Sequence, residues 1–417
     1  AVSIALEGMS EPVRARLVRK FQRTANDRGI FIVDRASRAK LQILEKPMAS
    51  VAKALNEEMI SVPGEGKITR ISEALEKALR WSTGKSEVQF GERTIPLRRR
   101  LMFVSGDATK WSPGDNVNKF RSFIGELNFI DPKLQSLMQQ CVTGVSTTHL
   151  GMMEGLSKQL AGGRKSTLTD KLREFFGYPE RRFGEVRGNW LQGNLNYTSS
   201  VYGAAVLNLA GEICQRMWKA LDMFFLALNH SDDSLAIIGS VEPEDGFELD
   251  FMMYLESMIE GRLKFHYKMI RKHGHADSIF MVMERVALMG CIKLSTKKTV
   301  VSRSHAQFIG FDFEGGQPAT EWVKLAMSAI TELKVRGYEN DLSSVVSSAV
   351  KVLDMSASFQ IAQLVMILGC IRVQRSYGTA PGMRNDGARL LGLKPDQVFT
   401  FLAGAQVPSV LMASTGG

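Results

Sequence analysis

At 417 residues, with 44% hydrophobic and 23% charged residues, the chain is long enough for two or three packed subdomains, and its composition is ordinary for a soluble globular protein with a sizeable core. A formal net charge of +10 favours a polyanionic partner such as nucleic acid. Cys141, Cys214, Cys291 and Cys370 lie roughly 75 residues apart with no paired spacing, which argues against a disulfide framework and a zinc site and points to a reducing cytosol. No apolar run reaches the roughly 18 residues of a membrane span, and the opening residues lack a signal-peptide pattern, so no membrane association is expected. The chain opens on Ala1 with a helix-like pattern almost at once, which predicts a piece of a longer polypeptide.

Between Glu11 and Lys40, nine basic residues (Arg14, Arg16, Arg19, Lys20, Arg23, Arg28, Arg35, Arg38, Lys40) face three acids, the most basic stretch of the chain. It reads as a basic helix followed by a buried strand, Gly29 to Val33, that would fix the arginines in place. Residues 47 to 95 read as helical scaffold interrupted at Pro63-Gly64-Glu65-Gly66 and Ser82-Thr83-Gly84. Arg98-Arg99-Arg100 then precede the apolar run Leu101 to Ser105, a strand ending at Gly106-Asp107. Helical patterns cover Val117 to Phe129 and Pro132 to Val145. The polar stretch 161 to 187, with Arg164, Lys165, Lys171, Arg173, Arg181, Arg182 and Arg187, reads as a mobile loop. Gly188 to Asn194 is a glycine-bearing turn that opens a long helix from about Asn196 to Leu221.

Apolar arms from Phe224 to Leu228 and from Leu235 to Ile238 enclose Asn229-His230-Ser231-Asp232-Asp233-Ser234, which predicts a β-hairpin with two adjacent carboxylates at its tip. Residues 248 to 290 read as mostly helical. Strand-like pieces at Cys291 to Leu294 and Thr299 to Ser302 flank Ser295-Thr296-Lys297-Lys298, and Gln307 to Gly316 reads as a second hairpin. From Glu321 onward the apolar spacing (Val345, Val346, Ala349, Val352, Leu353; Ile361, Leu364, Val365, Leu368) predicts an all-helical C-terminal subdomain.

Asp107 and the Asp232-Asp233 pair therefore end two strands. Lying side by side, these strands would grip two divalent cations ~4 Å apart, the arrangement that in-line phosphoryl transfer uses. Oxygen-only ligands favour Mg²⁺ or Mn²⁺ over zinc.

In order and wording, Asp107-Ala108-Thr109-Lys110-Trp111-Ser112-Pro113, Gln192-Gly193-Asn194-Leu195-Asn196, Ser231-Asp232-Asp233 and Lys297-Lys298-Thr299 resemble motifs A, B, C and D of viral RNA-dependent RNA polymerases. The likeness is to the large (L) proteins of bunyaviruses, nearest to those of hantaviruses, which carry Ser-Asp-Asp where many positive-strand enzymes carry Gly-Asp-Asp. Upstream, Lys20-Phe21-Gln22-Arg23-Thr24 and Asp27-Arg28-Gly29-Ile30-Phe31 look like the basic motif F. Downstream, the likeness runs through Gln307 and Arg375-Ser376-Tyr377-Gly378-Thr379-Ala380-Pro381-Gly382-Met383, so it covers about residues 15 to 385.

The resemblance implies an α+β right-hand polymerase with an antiparallel palm sheet of three strands, helix-rich fingers and a helical thumb-like C-terminal region. Its parts would be fingers with the basic pre-A region at 1–100, palm at 101–130, a fingers insertion at 131–185, palm again at 186–316 and the thumb-like region at 317–417. Asp107, Asp232 and Asp233 would be the metal ligands and catalytic acids, and Lys298 or Lys297 the general acid that protonates leaving pyrophosphate. Lys20, Arg23, Arg28 and Lys110 would meet the nucleotide phosphates. Gln192, Gly193 and Asn194 would form the nucleotide-contacting motif B loop, with glycine supplying backbone freedom and an amide for a ribose 2′-hydroxyl. Arg164, Lys165, Arg181 and Arg182 would bind RNA.

The implied cofactors are two Mg²⁺ or Mn²⁺ ions. The implied partners are viral RNA template and nascent RNA, nucleoside triphosphates, the remainder of the polymerase polypeptide and nucleoprotein-bound RNA, in the host cytoplasm and virion. Motif E departs from the family wording: Glu-Phe-x-Ser is replaced by Gln307-Phe308-Ile309-Gly310. No endonuclease cluster is recognisable, and Asp115 stands too far from Asp107 to serve as a sugar-sensing acid. Competing readings are a non-catalytic RNA-binding module, with the acids structural, and a reverse transcriptase-like or nuclease palm.

Overall fold

The computed structural model of the chain describes residues 8–20, 28–108, 116–162, 166–191, 193–258, 264–319, 322–331, 337–354 and 357–377. The fold mixes helix and sheet in the α+β manner and divides into two compact units, Ala1–Val18 with Ile30–Pro318, and Arg19–Gly29 with Ala319–Gly417.

The described part of the basic N-terminal stretch ahead of Asp34 is mainly strand where a helix was expected. Val13–Lys20 (β1) and Arg28–Val33 (β2) are strands. Val13 and Ala15 are buried while Arg14 and Arg16 are exposed, a period of two that only a strand can present to a core. Nor is the second strand buried throughout, since Ile32 is 51% exposed. Asp34 accepts the Ser37 N–H at 2.7 Å and so starts Arg35–Ala54 (α1). The first turn of Gly64–Ser82 (α2) absorbs the glycines read as an interruption. The helical reading of 47 to 95 fails at its end, where Ser86–Phe90 (β3) pairs antiparallel with Arg93–Asp107 (β4).

Asn118–Gly125 (α3) and Pro132–Val145 (α4) occupy the next two helical runs, and α4 begins where Asp131 accepts the N–H groups of Lys133 and Leu134. Thr147–Gly151 (β5), Glu154–Ala161 (α5), Thr167–Phe176 (α6) and Phe183–Arg187 (β6) follow. The described part of 161–187 is thus helix and strand rather than a mobile loop, because Ser166 and Thr169 form a reciprocal capping box that starts α6. β1 pairs parallel with β5, and β5 antiparallel with β6, in a four-stranded sheet of order β2-β1-β5-β6.

Asn196–Met217 (α7) is the long helix predicted after the glycine-bearing turn. Phe224–His230 (β7) and Asp233–Pro243 (β8) form the acidic hairpin, followed by Glu248–Ser257 (α8), Lys264–His273 (α9) and His275–Met289 (α10). Cys291 to Leu294 is not the expected strand: Cys291 adopts a φ of +55° just after α10, and only Leu294 forms an isolated bridge, to Ala108. Val300–Ser302 (β9) precedes a small meander of His305–Phe308 (β10), Phe311–Glu314 (β11) and Gln317–Pro318 (β12).

The central sheet has five strands, in the order β3-β4-β8-β7 with β9 on the free stretch of β4 at Phe103 to Ser105, where three were expected. The extra strands arise because β4 is fifteen residues long and can pair with β3 near its start and β9 near its end. Helices and the meander cover both faces. Met102, Val104, Ala236 and Ile238 belong to the core that contains Val201, Leu207 and Ala210 of α7. Phe103, Leu235 and Ile237 belong to a second core with Ile71, Leu75 and Phe308. This two-sided burial explains the unbroken apolar run in β8, since a strand covered on both faces cannot alternate. Gly203 lets α7 lie close on β7, as a Cβ there would land on the Asn229 side chain.

The second unit contains the helices Trp322–Thr331 (α11), Tyr338–Asp354 (α12) and Phe359–Ser376 (α13), packed around Ala329, Val345, Ala349, Val352, Val365 and Cys370. Leu364 and Leu368, read as part of the apolar face, are 54% and 38% exposed. α13 buries Ala362, Val365, Met366, Gly369 and Val373 instead, and the closeness of Gly369 to Val345 sets the helix rotation.

Candidate functional site

β4 and β8 run antiparallel over eleven register pairs, ending with Gly106 opposite Ser234 and Asp107 opposite Asp233. The turn between β7 and β8 has only two residues, Ser231 and Asp232, and Ser231 takes a φ of +58°. Positive φ at the first central position is the habit of a type II′ turn, whose twist matches that of the flanking strands. The Ala108 N–H donates to the Asp232 carbonyl at 2.9 Å, so the end of β4 is tied to the turn itself. Three carboxylates from positions 107, 232 and 233 are thereby held at one end of the sheet.

The lysine-bearing segment closes on the same end. The Ser295 N–H donates to the Asp107 carbonyl at 2.8 Å, and the turn from Ser295 to Thr299 brings the Lys298 ammonium to 3.1 Å from Asp107 Oδ2 and 3.3 Å from Oδ1. Lys297 is exposed and makes no ion pair among the described residues. Burial pushes the carboxyl of Asp232 up from its ordinary range, and the Asp107 charge adds to this. Asp233 is pushed up to about 6, first by burial and then by Asp232 and Asp107, with Lys298 opposing. The concentration of negative charge exceeds what one lysine neutralises.

Among the described residues, no three His, Cys, Asp or Glu side chains are assembled as a ready metal cage. The donor set nonetheless fits a hard divalent cation by chemistry: it offers only carboxylate oxygens, and two of its members are already burdened by mutual repulsion.

Behind the turn lies a support that no sequence motif announced. Glu58, fully buried, accepts from the N–H groups of Ile60 and Ser61 at 2.6 and 2.9 Å and from the Ser200 hydroxyl of α7 at 2.7 Å. The Asn229 N–H donates to the Glu57 carbonyl, its own carbonyl accepts from Met59, and its side chain donates to the Ser200 carbonyl at 3.0 Å. His230 Nε2 stands 2.9 Å from Lys67 Nζ; burial, and then this ammonium, lower the imidazole's proton affinity. A buried glutamate among charged scaffold residues leaves no mark in the sequence.

The start of α7 is held in a similar way. Leu195 has no capping side chain, and Glu45 of α1 accepts instead from the N–H groups of Tyr197 and Thr198 and from the Thr198 hydroxyl at 2.6 Å. Just before it, Gly193 adopts a φ of +91°, which a side chain would disfavour, and the Asn194 N–H donates to the Leu191 carbonyl at 3.1 Å.

Of the other predicted site residues, several fall where the structure makes no statement. Arg23, Lys110, Gln192, Arg164 and Lys165 lie outside the described residues, as do Trp111 and Asp115. Lys20 ends β1 and Arg28 starts β2, with only their backbones described. Arg181 and Arg182 are exposed beside β6, with the Arg181 guanidinium 5.9 Å from the Phe183 ring centre and the Arg182 carbonyl accepting from Met152.

Fold and site together define an α+β protein whose antiparallel sheet presents a coupled set of aspartates at one end. The chain belongs to the family described as Bunyavirus RNA dependent RNA polymerase, whose model matches residues 7–413. Among its relatives, the RNA-directed RNA polymerase L of Puumala virus (strain Sotkamo/V-2969/81) is 39% identical over 97% of this chain, and that of Seoul virus (strain 80-39) is 38% identical over 99%. The RNA-directed RNA polymerase L of Bunyamwera virus is 23% identical over 79% of the chain. The chain spans 19% of the length of the Puumala and Seoul virus proteins and 14% of the Bunyamwera virus protein. No described helix is long and apolar enough to cross a membrane.

Proposed function

We propose that the chain is the palm-centred core of an RNA-dependent RNA polymerase that adds ribonucleotides to a growing 3′ end on a viral RNA template. The observation that supports it most is the register of β4 with β8, which sets Asp107 opposite Asp233 with Asp232 in the adjoining turn and Lys298 on Asp107. In this reading the fold is a right hand. Residues 1–100 are fingers, 101–130 and 186–316 palm, 131–185 a fingers insertion and 317–417 a thumb-like region; the sheet that joins β1 to β5 and β6 and the separate helical core after Pro318 support this division, while β3 and the start of β4 carry the central sheet back to Ser86.

Asp107, Asp232 and Asp233 hold two Mg²⁺ or Mn²⁺ ions, which when bound supply charge for the attacking hydroxyl and the leaving pyrophosphate. Lys298, whose ammonium contacts Asp107, rather than Lys297, is the lysine assigned to give a proton to the leaving group; the Asp107 contact supports this assignment. Gly193 and Asn194, with Gln192, shape the loop beside the nucleotide. Lys20, Arg23, Arg28 and Lys110 meet its phosphates. Nucleoside triphosphates, template and nascent RNA, the rest of the polymerase polypeptide and nucleoprotein-bound RNA are the partners, in the host cytoplasm and virion.

The test is primer extension with each metal beside an Asp232→Ala variant. Ribonucleotide incorporation that depends on Mg²⁺ or Mn²⁺ and disappears in the variant is the expected result. Incorporation of deoxynucleotides alone would instead favour a reverse transcriptase, and extension undiminished in Asp232→Ala would remove the catalytic reading.

A further inference from the structure

The C-terminal end of α10 turns the chain toward Lys298, and α7 and α3 tie it there. The Cys291 and Ile292 N–H groups donate back to the Leu288 and Ala287 carbonyls at 3.0 and 2.8 Å, and Cys291 takes a φ of +55°. This is a reversal by which many helices end, normally built on glycine because a β-carbon is disfavoured in the left-handed region. The next two carbonyls, of Gly290 and Cys291, are met from outside the helix. The Tyr202 hydroxyl of α7 donates to the first at 2.9 Å, and the Lys119 ammonium of α3 donates to the second at 3.4 Å. A cation also suits the negative end of a helix dipole.

The Tyr202 ring sits edge-on to Phe120 and Phe123, with centres 5.5 and 5.3 Å away, and Lys119 Nζ lies 4.8 Å from the centre of the Tyr202 ring. A phenylalanine would satisfy that packing; the hydroxyl is what reaches α10. Close approach of the two helices is built in as well, since a Cβ on Gly290 would meet Val206 of α7 at 3.0 Å. Downstream, Leu294 bridges Ala108 and the Ser295 N–H donates to the Asp107 carbonyl at 2.8 Å, after which the turn to Thr299 places Lys298 on Asp107. Ile292 and Lys293 alone separate the tied root from the segment that meets the end of β4. Ser200 and Tyr202, two positions apart, leave α7 on opposite flanks, one toward Glu58 behind the aspartate turn and the other toward the lysine segment.

We infer that Tyr202, with Lys119, is a positioning residue for Lys298: by holding the Gly290 and Cys291 carbonyls it sets the root of the lysine segment, and so where the ammonium stands relative to Asp107. The same helix opens just after Gly193 and Asn194, so the nucleotide loop and the lysine are both fixed to α7. What the lysine does there, proton delivery to the leaving group, rests on the polymerase reading; the tether itself does not.

Tyr202→Phe keeps the ring and removes the tether, and two readouts follow it. In amide hydrogen exchange of the 417-residue chain, residues 291–299 should exchange about tenfold faster in the variant, with residues 275–285 of α10 unchanged. In single-nucleotide addition, Tyr202→Phe should lower kcat about tenfold and leave KM for the nucleotide within about twofold, the signature of an interaction that serves the chemical step. The decisive comparison is a double-mutant cycle: in a Lys298→Ala background, Tyr202→Phe should slow addition by less than about twofold, because no ammonium is left to misplace. Lys119→Met should act in the same direction by about threefold, and Lys119→Arg should restore the parent's behaviour. Circular dichroism spectra matching the parent's show that each variant is folded; should Tyr202→Phe not fold, Lys119→Met carries both readouts. Unchanged exchange of 291–299 in folded Tyr202→Phe overturns the proposal, as does a Tyr202→Phe effect on addition of the same size with and without Lys298. A parent chain that extends no primer rejects the polymerase reading and leaves exchange to decide the tether, whereas extension that is indifferent to Tyr202→Phe rejects the positioning role alone.

Discussion

The Ser200 hydroxyl donates to the Glu58 carboxylate at 2.7 Å, and through that bond the long helix after the Gln192-Gly193-Asn194 segment is joined to the root of the aspartate turn. Glu58 also receives two backbone N–H groups, and the same loop brackets Asn229 through both of its backbone groups. The turn is therefore anchored from behind as well as by its own sheet.

Truncation at Glu58 should be costly. Glu58→Ala strands one buried and two half-buried donors and is expected to lower unfolding free energy by about 3 kcal/mol, whereas Ser200→Ala removes a single hydroxyl and should cost about 1 kcal/mol. Urea unfolding of the two variants measures both, and a Glu58→Ala value no larger than that of Ser200→Ala would contradict the anchoring role.

The two adjacent lysines should behave differently. Lys298→Ala removes the ammonium beside Asp107 and is expected to slow single-nucleotide addition on the order of 10²-fold, the usual scale for a missing proton donor. Lys297→Ala should stay within about twofold, as an exposed, unpaired charge contributes little. Rapid-quench kinetics of the pair decides the matter, and equal effects would remove the distinction.

Divalent cations should stabilise the fold through the aspartates. At neutral pH, Mg²⁺ held by the aspartates as proposed would relieve the repulsion that, added to burial, drives Asp233 up to about 6, so saturating Mg²⁺ should raise the melting temperature. At a hundredfold excess over Kd the gain is about 2.7 kcal/mol. Asp107→Asn and Asp232→Asn should shrink it. Calorimetry with Mg²⁺ and with EDTA provides the reading, and an identical shift in the double variant would place the ion elsewhere.

Acid should weaken the first unit through His275. This imidazole is buried, accepts the Val241 N–H at 3.2 Å and packs edge-on against Trp218; burial pushes its pKa down to about 4. In the unfolded chain it takes up a proton near pH 6.5, while in the folded state it does so only near 4. The unfolded state thus binds more protons between those values. Stability is full above about pH 6.5 and falls as pH drops toward 4, by up to about 3 kcal/mol. His275→Phe should flatten that dependence in urea midpoints, and a slope equal to the parent's would assign it to other groups.

How much was legible follows from how local each signal is. The acidic hairpin could be read because its turn residues and apolar arms lie within about fifteen positions, and α4 because Asp131 and Pro132 mark its start. The basic strand β1 departs from the helix expected of it because its arginines, grouped as a charge run, mask the alternation with Val13 and Ala15. Glu58, Glu45 and Lys67 could not be found in advance. Each is a common charged residue whose meaning comes only from the partner it meets: Ser200, Thr198 and His230.

The sequence by itself determined the chemistry on offer: which residues are acids, in which order they come, and which short segments turn or extend, because turn preference and side-chain period act over a few residues. Only the tertiary structure decided that Asp107 faces Asp233, that Lys298 and not Lys297 reaches it, and that a buried glutamate secures the turn. Those relations depend on strand register and helix packing between segments more than a hundred residues apart, where no local preference of the chain can act.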